Sequence, residues 1–348
     1  MKTTVYSTPS LLAPRKRMRA STILLVLTAL AIASVLLACA AGSVALSVGE
    51  LSTAAAESIR GAPATLAATL LELRLARALA AFVTGATLAL AGVMMQALLR
   101  NPLADPYVLG VSGGAAVGAL AAMLFFSAVW MIDAAAFAGA IAVALLLFVL
   151  ANRDLRGGIV DGNAPLLLLT GVIVASGCGA LVTLMLSVAP DNRLRGMVFW
   201  LIGDLSGTPL RWLPWLVLVG ALLFAIRMAR AINVVALHAE AAATLGIRVG
   251  ALRKGLFVCA ALLTASAVSS AGSIGFVGLI VPHACRFALG PDHRLLLPAA
   301  TLVGGAFLVL ADTLARSVVA PQQLPVGVIT ALIGVPVFLL QLHHIRKR

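Results

Sequence analysis

Long apolar runs alternate along the chain with short breaks marked by polar residues, proline or glycine. The runs fall near 21–42, 75–99, 107–130, 134–151, 165–189, 212–229, 252–272, 275–289, 296–315 and 325–342. About 20 apolar residues cross a hydrocarbon core of roughly 30 Å as a helix, and lipid permits a spanning backbone only as a helix or a closed barrel. The pattern predicts an all-α polytopic membrane protein with about ten transmembrane helices. The run after Gly275 is short, so neighbouring helices rather than lipid are expected to cover it. This reading leaves residues 1–20 as a basic tail and 21–348 as a single transmembrane domain.

Composition sharpens the picture. Of 348 residues, 62% are hydrophobic and 11% charged, with mean hydropathy +1.10, which excludes a soluble enzyme. A net charge of +13 would suggest nucleic acid in a soluble protein; here it reports topology. With the N-terminus inside, 18 of the 25 basic residues fall on the cytoplasmic side and 7 on the other. Both termini are therefore expected in the cytoplasm of a multi-pass membrane protein. Arg15, Lys16, Arg17 and Arg19 precede a first run longer than the 7–15 residues or so of a signal-peptide core, so it reads as a retained anchor. Cys39, Cys178, Cys259 and Cys285 show no CxxC spacing and read as small buried thiols.

Catalytic chemistry is not indicated. The five histidines form no HExxH, no paired carboxylates occur, and His283 after Pro282 reads as structural. Small residues crowd three runs, at Gly85 and Gly92, at Gly171, Gly177 and Gly179, and at Gly304 and Gly305, which predicts close helix packing. Three polar features remain. The Asn101–Pro106 segment must break the helix before Gly110. Asp312 and Arg316 lie four residues apart and can face each other. The stretch 238–247 is a short helix former closed by Gly246, suited to a membrane surface or to docking on a soluble partner.

Taken in order, the motifs are Leu73-Arg74-Leu75-Ala76-Arg77, Gly92-Val93-Met94-Met95-Gln96-Ala97 running into Asn101-Pro102-Leu103-Ala104-Asp105-Pro106, and Leu109-Gly110-Val111-Ser112-Gly113-Gly114-Ala115. They are followed by Gly275-Phe276-Val277-Gly278-Leu279-Ile280-Val281-Pro282-His283, Asp292-His293-Arg294, and Leu324-Pro325-Val326-Gly327-Val328-Ile329-Thr330. In this order they closely resemble the permease subunit of type II ABC importers for ferric siderophores, haem and vitamin B12. The resemblance implies a vitamin B12 permease-like bundle of ten helices and a homodimer with a central pathway. It also implies two ATPase subunits below and a substrate-binding protein on the outer face. It implies no cofactor on this subunit, ATP and magnesium being used by the partner ATPase, and no role for nucleic acid.

Residue by residue, the resemblance assigns Arg74, Arg77 and Arg316 to binding-protein docking. Glu240, Ala241, Ala242, Leu245 and Gly246 would couple to the ATPase. Asn101, Leu103 and Ala164 would form the cytoplasmic gate. The last is a departure, since Asn163-Ala164-Pro165 stands where relatives carry small hydroxylated residues. The alternative function is an ion-gradient-driven secondary transporter, which needs intramembrane acids; Asp312 is the acid well inside a span.

Overall fold

The structure is a computed structural model that describes residues 20–42, 44, 46–61, 64–126, 128–150, 164–206, 211–237, 239–320 and 322–346. The N-terminal tail expected before residue 20 and Asn163 lie outside the described residues. These residues form an all-α polytopic membrane bundle. Its helices are α1 (Ala20–Ala40), α2 (Val48–Ile59), α3 (Leu66–Leu99), α4 (Val111–Phe125), α5 (Val129–Leu150), α6 (Ala164–Val188) and α7 (Asp191–Ile202). Then come α8 (Trp212–Leu237), α9 (Ala239–Thr244), α10 (Val249–Ala271), α11 (Val277–Leu289), α12 (His293–Ser317) and α13 (Val326–Arg346). A 3-10 turn, Pro106–Leu109, precedes α4. Among the described residues, seven helices are long and apolar enough to cross a membrane, and α4, α11 and α13 contribute shorter apolar segments.

The bundle is organised around α3. Thr65 caps its N-terminus by accepting from the Ala68 N–H at 3.2 Å, and its most apolar stretch is 89% buried. Helices α12, α10 and α11 pack around it. Small residues set these contacts, as the sequence predicts for two of its three clusters. A Cβ added at Gly85 would lie 2.2 Å from the Gly304 carbonyl oxygen, and one at Gly92 would lie 1.9 Å from that of Gly278. The third cluster divides: Gly171 and Ala175 lie against Gly110, where an added Cβ would come within 3.1–3.3 Å of them, whereas Gly177 and Gly179 of α6 face open space.

The short α11 has 13 residues and, at about 1.5 Å per residue, reaches roughly 20 Å. It is wedged against α3, α12 and α13, with Val277, Ile280, Val281 and Cys285 buried, so protein covers its N-terminal end and one face.

The pattern of apolar runs misses two features. Helices α2 and α7 are too polar to register as spans. Their starts are instead fixed locally, α2 by a Ser47–Glu50 capping box and α7 by Pro190 at its N-cap. The second span starts at Leu66 rather than near residue 75, so Arg74 and Arg77 lie in the third and fourth turns of α3 and do not open it. The Thr65 cap overrides the apolar boundary.

Candidate functional site

Two polar regions stand at opposite ends of α3. Arg74 and Arg100 are 26 residues apart on one helix, or roughly 39 Å at about 1.5 Å per residue.

At the first end, two guanidinium groups meet one carboxylate and a third lies beside them. Arg77 donates from Nε to both Asp312 oxygens at 3.1 and 2.9 Å, and from Nη2 to Oδ1 at 2.8 Å, a bidentate fork on a carboxylate that is 2% exposed. Its Nη1 donates to Gln323 Oε1 at 2.7 Å, which Ser206 Oγ also approaches at 3.2 Å. The sequence pairs Asp312 with Arg316 four residues on. The structure keeps that ion pair at 3.9 Å and adds the closer one to Arg77, which projects from α3 directly onto the acid.

Arg74 and Arg316 turn to α1. The last carbonyls of a helix lack internal donors, and cationic side chains near that end satisfy them. Arg74 Nη1 donates to Cys39 O at 3.1 Å and Ala40 O at 3.2 Å, while its Nη2 donates to Val44 O at 2.5 Å. Arg316 Nη2 donates to Ala38 O. Both arginines are buried, at 7% and 6% exposure. The α1 end and Gln323 are the partners that sequence reasoning does not find. Both contacts join residues more than 30 positions apart, and nothing local marks them.

At the other end, α9 follows α8 as a separate short helix. Gly246 takes φ +78°, its N–H bonds Ala243 O at 3.0 Å, and the Ile247 N–H bonds Ala242 O at 3.0 Å. This is a Schellman C-cap with glycine at the left-handed position. Ala242 is fully buried under the helix while Leu245 is 70% exposed. Glu240 and Ala241 lie on α9, and their side chains fall outside the described residues, as does that of Ala164 at the start of α6.

The Asn101 turn lies at the same end as Arg100. Asn101 Oδ1 accepts from the Leu103 N–H at 2.9 Å, and Leu103 is 38% exposed. Asp105 accepts from the Tyr107 N–H at 2.7 Å, and the packing around it pushes its carboxyl up to about 6 against the pull of that bond. The structure thus brings Asn101 and Leu103 together and gathers Arg74, Arg77 and Arg316 into one cluster.

Helix α6 is mostly uncovered. Ser176, Ala180, Thr183 and Ser187 follow one another at spacings of three or four along it, all exposed. Each hydroxyl on this stripe bonds a carbonyl one turn back, Ser176 to Val172 O, Thr183 to Gly179 O and Ser187 to Thr183 O. The stripe is therefore small and weakly polar, with no charge. Among the described residues, no group of His, Cys, Asp and Glu could hold a metal ion.

Comparison with known proteins gives a consistent result. The chain is 45% identical over 288 residues to the cobalamin import system permease protein BtuC of Halobacterium salinarum, covering 80% of this chain and 74% of that one. It is 40% identical to the hemin transport system permease protein HmuU of Yersinia pestis, covering 77% and 81%. Among solved structures, an inward-facing metal-chelate type ABC transporter superposes with a TM-score of 0.78 at 28% identity, over 93% of this chain and 99% of the other. The family model for FecCD transport matches residues 27–344, nearly the whole chain, and the chain therefore belongs to the FecCD transport family.

Proposed function

We infer that this chain is the multi-pass inner-membrane permease subunit of an ABC importer for a metal-chelate compound of the siderophore, haem or cobalamin kind. It is a translocation subunit, and ATP is hydrolysed by a separate partner. The observation that carries this reading is the family match across residues 27–344. In this reading, α4, α11 and α13 cross together with the seven long helices, both termini face the cytoplasm, and α9 and the Asn101 turn lie on the cytoplasmic side. Two copies pair with their α6 helices facing a central pathway. The uncharged stripe of Ser176, Ala180, Thr183 and Ser187 supports that placement, because a large chelate can slide along a wall that offers it no strong ligand.

Arg74, Arg77 and Arg316 form the outer docking platform for a substrate-binding protein. Among the described residues three cations gather around Asp312, with half-buried Arg77 the most exposed of them, so the region is positive overall, which favours encounter with an acidic partner. Glu240, Ala241, Ala242, Leu245 and Gly246 form the coupling element. The capped α9, with Leu245 exposed beside it, is a rigid knob that can seat in an ATPase. ATP binding favours one arrangement of the assembly over the other, and α9 passes that preference to α8 and α10, which flank it. Asn101, Leu103 and Ala164 form the cytoplasmic gate.

The ion-driven alternative needs an acid free to exchange a proton or sodium ion. Asp312 is instead locked by a bidentate guanidinium. Reconstitution with the cognate ATPase and binding protein tests the reading: uptake should require ATP and survive collapse of the ion gradients. Uptake driven by a gradient without the ATPase would refute it.

A further inference from the structure

The bundle holds a cavity of about 650 Å³ at the end opposite the Arg77–Asp312 pair, its wall mostly apolar with a few polar and charged side chains set into it. It lies between α3, α8, α11 and α12, and Gln96, Arg100, Asn233, Arg286, Asp292 and His293 are among its lining residues. Arg100 donates to Val235 O from Nε at 3.2 Å and from Nη2 at 2.8 Å, and brings its charge to the wall. Arg286, in the last turn of α11, is half-buried and has no hydrogen-bond or ion-pair partner among the described residues. A partly desolvated guanidinium without an acceptor is costly to keep.

The acid on the rim does not meet that charge. Asp292 Oδ1 accepts from the Arg294 N–H at 3.0 Å and from Asn233 Nδ2 at 2.7 Å, so it serves as the α12 cap. That second bond fixes the Asn233 amide, whose Oδ1 accepts from the His293 N–H at 2.9 Å and stands 2.7 Å from His293 Nδ1. Nδ1 therefore carries a proton, and Nε2 is left without a partner on a residue 4% exposed. Gln96 Oε1 is likewise unpartnered on a residue 3% exposed. One cavity thus gathers an unmatched cation, a second cation and two unused polar atoms.

We propose that this cavity binds a phosphate or phosphodiester group, with Arg286 as its principal ligand and Arg100 lending charge. A planar guanidinium fork suits phosphate oxygens. The volume exceeds what a bare anion needs and lies in the range of roughly 300–1,000 Å³ typical of small-molecule sites, so the phosphate carries an organic group. Gln96 and His293 supply hydrogen-bonding capacity for that group or for accompanying water. Phe287, adjacent to Arg286, is 77% exposed and provides apolar surface beside the charge. This combination fits the headgroup and upper chain of an anionic phospholipid, and a soluble phosphate compound shares the same chemistry.

The test uses the full chain in nanodiscs, with native mass spectrometry counting retained lipid and a thermal midpoint as the second readout. One arm replaces phosphatidylcholine stepwise with phosphatidylglycerol. The other keeps pure phosphatidylcholine and adds inorganic phosphate. Arg286→Gln should weaken binding about tenfold or more, the loss expected for a charge-assisted bond, while Arg286→Lys keeps part of it. In a non-ionic maltoside detergent free of phospholipid and phosphate, Arg286→Gln should melt at or above the wild-type temperature, since it removes an unmatched charge. Binding in the first arm identifies a lipid source and binding only in the second a soluble one. Equal binding by Arg286→Gln and wild type in both arms, or binding of neither ligand by wild type, would overturn the proposal.

Discussion

Replacing Asp312 by asparagine is the sharpest test of the arginine cluster. The carboxylate is 2% exposed and takes three contacts from Arg77 at 2.8–3.1 Å, with Arg316 Nε 3.9 Å away. Asparagine keeps one acceptor but removes the negative charge that, among the described residues, pairs with Arg77 and Arg316, so a half-buried and a buried cation lose their counterion. Breaking a buried pair on one side costs about 3–5 kcal/mol, and the retained acceptor places Asp312→Asn near the lower bound, about 3 kcal/mol. At about 1.4 kcal/mol per decade, that is a shift of roughly 100-fold in the folded ratio. Denaturant unfolding in mixed micelles, followed by tryptophan fluorescence, measures it. Arg77→Leu combined with Asp312→Leu should recover part of the loss, because an apolar pair replaces the Arg77–Asp312 ion pair at little cost while Arg316 still lacks its counterion. If Asp312→Asn unfolds within about 0.5 kcal/mol of wild type, the pair does not hold α3 to α12 and the reasoning fails.

Further outcomes follow from the same geometry. Arg74→Glu with Arg77→Glu should weaken association with the binding protein, measured by pull-down in nanodiscs; undiminished association would remove both residues from the docking platform. Gly246→Ala forces a side chain into φ +78° and should cost about 1 kcal/mol locally, appearing as ATP hydrolysis uncoupled from uptake in proteoliposomes. Gly92→Val drives a branched side chain into the Gly278 carbonyl and should lower the thermal midpoint and folded yield by an overpacking cost of about 1–3 kcal/mol or more. The Asp105 carboxyl binds its proton more tightly folded than unfolded, so its contribution to stability is full below about pH 4 and is lost as pH rises through about 6. Asp105→Asn should flatten a melting curve series across that window.

Some of this arrangement is legible in local sequence. Gly85, Gly92, Gly304 and Gly305 announce tight helix contacts because only small residues let backbones approach, and the pairs form between α3 and α12 and between α3 and α11. The α9 stop is legible because Gly246 alone supplies the left-handed residue that a Schellman cap needs. The Asn101 turn is written in its Asn-Pro pair. Helix α2 was not found, since its signal is a capping box in a polar stretch rather than an apolar run. Gly177 and Gly179 read as packing residues like the others, yet among the described residues nothing approaches them.

The sequence alone determined what depends on composition and short-range pattern: an all-helical membrane bundle, the positions of its breaks, the family resemblance, and the residue types at each end. Which charge meets which depended on tertiary structure. Asp312 and Arg316 are natural partners by helical spacing, but Arg77, 235 positions away, takes the carboxylate because α3 and α12 pack face to face. Arg74 ends on the last carbonyls of α1, and Arg286 has no partner among the described residues, in a cavity built by four helices. Local pattern fixes each helix because its hydrogen bonds are internal. The pairing of side chains between helices is set by how the helices pack, and no single segment encodes that.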